Sequence, residues 1–179
     1  LTHTLPVSKS KIYLSKVLTA VITLLTSFVV IVACLAISCL NEETWGVLKE
    51  NLEQSAIYFD CSVFGLVFTM SITIFFEFLF MLMSGILGII IGHRSNNLKI
   101  VKSIVIGFAI YTILSIILVG ILFVAGLINP DIMSVFNNIE VSANALKSMM
   151  VVGIIVYAIY NVAVYFIGDK LLNKGVNID

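Results

Sequence analysis

"SITIFFEFLFMLMSGILGIII", residues 71–91, decides the fold class. Coiled into a helix at 1.5 Å per residue it is roughly 32 Å long, enough to cross a hydrocarbon core of about 30 Å. It holds a single charge, Glu77, and no Pro. In lipid every backbone polar group has to be satisfied inside the segment, and a helix does that.

Working outward, the run belongs to a longer apolar stretch, and three others stand beside it. The expected spans are Val17 to Leu40, about Ser62 to Ile91, Ser103 to about Ile128, and Met149 to about Ile167. The chain of 179 residues is 60% hydrophobic and 11% charged, with a mean hydropathy of +1.15. Soluble domains carry roughly 25% charged residues, so this is a membrane composition. One signal peptide does not account for four separate runs. A formal net charge of zero removes the electrostatic case for a nucleic-acid partner.

Charge sets the expected orientation. Lys9, Lys11 and Lys16 precede the first span. Arg94, Lys99 and Lys102, with His93, lie between the second and third, and Lys170 and Lys174 follow the fourth. The other two connections hold only Lys49 and Lys147, beside Glu42, Glu43, Glu50, Glu53, Asp60, Asp131 and Glu140. Basic loops stay on the cytoplasmic side. The expected fold is therefore an all-α integral membrane protein with four transmembrane helices, both termini cytoplasmic and short helical extracellular loops. Residues 1–16 form a cytoplasmic segment, and residues 17–179 form the transmembrane domain with a short cytoplasmic tail.

Both outer loops carry helix signals. Asn41 is a fair N-cap before Glu42 and Glu43, and Trp45, Leu48, Leu52, Ile57 and Tyr58 have approximate helical spacing. An interfacial helix with Trp45 at headgroup depth is expected. Asn129-Pro130-Asp131 starts a second helix. There Ile132, Val135, Phe136 and Ile139 make an apolar stripe suited to a half-inserted or re-entrant segment.

Few residue patterns carry chemistry. CxxC, HExxH, GxSxG and GxxxxGK[ST] are all absent from the sequence. Glu42-Glu43 lacks the Arg and the membrane His that a paired-glutamate protease needs, and His3 and His93 read as solvated side chains. Cys34 and Cys39 read as small apolar side chains, and a Cys39–Cys61 disulfide is not the expectation. No catalytic residue and no metal ligand set is expected, so the chain is read as no enzyme.

Glu77 is the sharpest single feature, because an intramembrane carboxylate costs a few kcal/mol on insertion scales. It serves a transport pathway or gate, or else it is protonated, hydrogen-bonded to a neighbouring helix, or shallow. Tyr157, Tyr160, Asn161 and Tyr165 give the last span a polar stripe, with Tyr157 and Asn161 sharing a face, as do Asn161 and Tyr165. The stripe faces other helices, and a translocation path is one thing it would line. Ser84, Gly88 and Gly92, with Gly85, are spaced for close helix packing.

At the front, "LTHTLPVSKSKIYLSKVL", residues 1–18, is basic and has no acid. Thr4 or Ser8 would cap a short helix there with Pro6 in its first turn. Its bland reading is a positive-inside anchor.

The wording "TLPVSKSKIYLSKVL" resembles the "LPxSRxKIxxSKxL" stretch of ABC-2-type transporter permeases. "GILGIIIGHRSNNLKIVKSIVIGFAIY", residues 85–111, and "FIGDKLLNKGVNID" at the end are similar to later parts of the same family. The resemblance implies a permease subunit of an ATP-driven ABC exporter, multi-pass in a bacterial plasma membrane. It implies ATP and Mg on a separate ATPase chain, and a second permease subunit as homo- or heterodimer partner. It also implies that this sequence corresponds to the last four of six spans. Pro6, Ser8, Lys9, Lys11 and Lys16 would then touch the ATPase, with Arg94 and Lys99 as a secondary surface. Glu77, Tyr157 and Asn161 become candidates to line the pathway. Other classes remain: a membrane immunity or sensor protein binding a partner in the bilayer, or a secondary transporter moving protons through Glu77. The last is disfavoured because no internal repeat is visible.

Overall fold

The structure, a computed structural model, describes residues 8–38, 41–95, 97–137 and 141–174. These form six helices and no strand: α1 (Lys9–Ser38), α2 (Glu42–Tyr58), α3 (Val63–Gly92), α4 (Lys99–Ile128), α5 (Pro130–Phe136) and α6 (Ala143–Asn173). Four of them, α1, α3, α4 and α6, are long and apolar enough to cross a membrane, so this is a multi-pass membrane protein.

Helix starts follow the local chemistry. The Asn41 side chain accepts a hydrogen bond from Glu43 N and opens α2, and Asn129 accepts one from Asp131 N to open α5. Each cap satisfies a backbone donor that the first turn leaves free. The start of α1 differs from expectation. Rather than a separate short helix before the first span, Lys9–Lys16 is continuous with it, and Ser8 contributes its carbonyl to Lys11 N and Ile12 N. Nothing between Lys9 and Ser38 breaks the helix, because the stretch contains no Pro or Gly. Thr4, Pro6 and Cys39 lie outside the described residues.

The chain divides into two units. The first comprises residues 1–25, 78–115 and 158–179, so it collects the start of α1, the end of α3, the start of α4 and the end of α6. Its core is Tyr13, Val17, Met83, Leu87, Ile90 and Val164. Here α3 and α4 touch through backbone. A Cβ on Gly88 would lie 2.5 Å from Gly107 Cα, and one on Gly92 would lie 2.5 Å from Ser103 N. The small-residue stripe is thus a packing seam, as its spacing suggests. Ser84, fully buried beside it, donates back to Phe80 O at 2.8 Å.

The second unit comprises residues 26–77 and 116–157 and contains α2 and α5. Ala56, Phe59 and Leu66 form its core, with Val63, Met70, Ala143 and Leu146 packed around them. Tyr58 Oη donates to Val141 O at 2.7 Å, and Lys147 Nζ donates to Asp60 O at 3.3 Å. The packed stripe of α2 runs through Leu48, Leu52, Ala56 and Phe59, whereas Ile57 is 79% exposed. Of the five residues at approximate helical spacing, Leu48 and Leu52 are half-buried, while Trp45, Ile57 and Tyr58 are exposed; Ile57 lies one position past Ala56, about 100° around the helix. Within α5, Ile132 is buried and Met133 packs on Gly126. Ile139 lies outside the described residues.

Candidate functional site

The first unit holds most of the chain's positive charge. Among its described residues it carries Lys9, Lys11, Lys16, Arg94, Lys99, Lys102, Lys170 and Lys174 against one acid, Asp169. The second carries Glu42, Glu43, Glu50, Glu53, Asp60, Glu77 and Asp131 against Lys49 and Lys147. The one ion pair described joins Lys49 to Glu53 at 3.8 Å.

Two hydrogen bonds tie the helix ends of the basic unit together. Arg94, just past α3, donates to Leu171 O of α6. Asn173 Nδ2 donates to Ser10 Oγ of α1 at 2.8 Å. The first satisfies a carbonyl near the C-terminal end of α6, where a cation also suits the negative end of the helix dipole. The short α3–α4 turn is held by Lys102 Nζ donating to Ser95 Oγ, and by Ser103 Oγ lying 3.4 Å from His93 Nδ1. Leu98 enters α4 with φ of 55°, a left-handed conformation that costs a non-glycine residue of order 1 kcal/mol.

A tyrosine locks α1 to α6. Tyr13 is 3% exposed and stacks on Tyr165 with ring centroids 5.4 Å apart and planes 24° off parallel. Its hydroxyl presses on Gly168, where the absence of a Cβ makes room. That hydroxyl and one Asp169 carboxylate oxygen are buried without a hydrogen-bond partner among the described residues. These residues escaped the sequence reading because Tyr13 sits in a stretch read for its lysines. The available signal was its position four residues before Val17, on the face that turns inward.

The residues singled out in the sequence fall into separate groups. Ser8, Lys9, Lys11, Lys16, Arg94 and Lys99 all belong to the basic unit, and Lys9, Lys11 and Lys16 are exposed on α1. Pro6 lies outside the described residues. Asn161 also belongs to this unit. It is 8% exposed, and both its amide atoms lack a partner among the described residues. It lines an otherwise apolar groove of about 400 Å³ with Val17, Val21, Leu79 and Met83 among the walls. Leaving such an amide unmatched costs about 1–3 kcal/mol.

Tyr157 and Glu77 belong to the second unit. Tyr157 is half-buried. Glu77 is exposed on α3, one turn after the exposed Ile74, and takes part in no hydrogen bond or ion pair among the described residues. No group of three or more His, Cys, Asp or Glu able to hold a metal exists among the described residues. No protein-family model matches the chain, and neither a curated protein nor a solved structure is significantly similar to it.

Proposed function

We propose that the chain is the permease subunit of an ATP-driven exporter of the ABC-2 type, set in a bacterial plasma membrane with the basic helix ends in the cytoplasm. ATP and Mg act on a separate ATPase chain, and a second permease subunit completes the pathway. The supporting observation is the linkage of the basic unit. Lys9, Lys11 and Lys16 are exposed on the opening turns of α1, and α1 is tied to α6 through Ser10–Asn173 and α6 to α3 through Arg94–Leu171.

Such linkage suits a coupling element. An acidic ATPase surface docking on Lys9 and Lys11 would displace α1 as a stiff rod, and the two hydrogen bonds would carry that displacement to α6 and α3. Closure of the ATPase dimer would then alternate the exposure of a site between the two faces of the membrane. Glu77, Tyr157 and Asn161 are the lining candidates. Mid-span, a carboxylate with no internal partner is expensive in lipid, which favours a role facing a partner or an aqueous path.

Affinity purification of the full-length protein from gently solubilised native membranes tests the proposal. A stoichiometric soluble ATPase, lost in the Lys9→Glu, Lys11→Glu double variant, is the expected result. Recovery of the protein alone, under conditions that keep a known ABC complex intact, moves the reading to the immunity or sensor class.

A further inference from the structure

A cavity of about 350 Å³ lies between α1 and α3 within the basic unit. Its wall is apolar apart from a few polar side chains. Lys16 and His93 border it beside Tyr13, and the rest of its wall is apolar, from Ile12 and Ala20 of α1 through Ile86 and Ile89 of α3 to Leu172 of α6. The cavity lies where α1 runs from its basic start into the apolar span and where α3 leaves that span at Gly92. Lys16 stands roughly 10 Å beyond the start of α1, the depth at which a lysine snorkels toward headgroups. Among the described residues it has no acidic partner, and Asp169 is the only acid described in the unit. His93 is held by its Nδ1, 2.9 Å from Ile89 O. Lys16 and Ile89 are exposed, so the cavity opens at the surface of the helix pair.

We infer that this cavity holds part of one anionic phospholipid, with its headgroup phosphate at Lys16 and His93 and the upper part of one of its two acyl chains along Ala20, Ile86 and Ile89. An unpaired cation beside apolar walls matches a phosphate joined to a hydrocarbon chain. A free phosphate would leave the isoleucines uncovered. Basic pockets between transmembrane helices recognise anionic headgroups by this same combination. The inference stands independently of the permease reading, since it needs no ATPase and no transport.

Native mass spectrometry of the full chain in neutral detergent tests it, with phosphatidylglycerol, phosphatidylcholine and inorganic phosphate as separate probes. One phosphatidylglycerol per chain is expected to survive activation that strips phosphatidylcholine, and inorganic phosphate is expected not to displace it. Lys16→Ala should weaken retention about fivefold, the effect of one lysine near a membrane surface. Lys16→Arg should keep it. Ala20→Leu, which fills the apolar part without changing charge, should lose it, and Lys170→Ala, which removes a charge elsewhere in the unit, should not. Equal retention of the two lipids, displacement by phosphate, or equal losses from Lys170→Ala and Lys16→Ala would each overturn the site. Should Lys16→Ala fail to fold, Ala20→Leu decides: unchanged retention in that variant also overturns it.

Discussion

The seam between α3 and α4 and the second half of α1 show two opposite ways for an apolar helix to exist. At the seam, glycines bring backbone to within contact, with Gly88 on Gly107 and Gly92 on Ser103, and a third of the most apolar window of α3 is buried. Along α1, none of the corresponding window is buried, and Val29, Leu35 and Ile37 are each more than 60% exposed. Both stretches have high hydropathy, 2.4 for α3 and 2.7 or more for α1 and α4. Hydropathy therefore marks what enters lipid and does not mark what packs. Packing is decided by the small residues, since lipid tails are as apolar as Leu and give no hydrophobic reason for helices to meet. Close van der Waals approach supplies the reason, and at the seam Gly88, Gly92 and Gly107 make room for it.

Breaking the seam should have the largest effect. Gly88→Leu places a side chain where the Gly107 backbone already stands, and should destabilise the bundle by about 3 kcal/mol or prevent its folding. Thermal unfolding followed by size-exclusion chromatography reads the loss. Gly120→Leu, farther along α4 and away from the seam, is the control, because nothing lies within 4 Å of a Cβ there. It should unfold at nearly the wild-type temperature. If the two variants behaved alike, the seam would not be what holds these helices.

Next in size is Gly168→Ala, which puts a methyl group against the Tyr13 hydroxyl and should cost roughly 2 kcal/mol. Combining it with Tyr13→Phe should return part of that loss, and a double-mutant cycle measures the coupling. Tyr13→Phe alone should be neutral or stabilising by up to about 1 kcal/mol, since it removes a buried hydroxyl with no partner. A clear destabilisation would show that the hydroxyl does have a partner in the membrane.

A smaller effect is expected in the second unit. Tyr58→Phe deletes the 2.7 Å bond to Val141 O and should cost about 1 kcal/mol. Amide exchange at the start of α6 should accelerate while the α3–α4 seam stays protected. The smallest change has the opposite sign. Gly46→Ala, in exposed helix α2 with open space around its Cβ, should stabilise by about 0.5 kcal/mol.

Much of this architecture was legible before any coordinates. Residues 71–91 announce a span because lipid leaves a long apolar run no other way to satisfy its backbone. Asn41 and Asn129 announce helix starts because a short amide side chain reaches the second backbone N–H whatever lies beyond it. Ser84, Gly88 and Gly92 announce a packed face by spacing alone. The spacing along α2 did not show which side packs, and Leu48 and Leu52 are half-buried while Trp45, Ile57 and Tyr58 are exposed, because a loose apolar pattern does not fix a helix face to within one residue. The candidate site was less legible still. The lysines of the opening segment stand out by composition, whereas Tyr13 among them does not, and Asp169 is hidden at the end of an apolar stretch.

The sequence alone determined which stretches are apolar enough to enter a membrane, where α2 and α5 start, and which ends carry the positive charge. Those are local properties of hydropathy, capping and charge, set within a few turns of helix. Only the tertiary structure decided that Tyr13 closes on Tyr165 and Gly168, that Asn173 reaches Ser10, that Arg94 reaches Leu171, and that Lys16 and His93 border one cavity. Each of those pairs joins different helices, and a helix's rotation about its own axis is set by the neighbours it packs against.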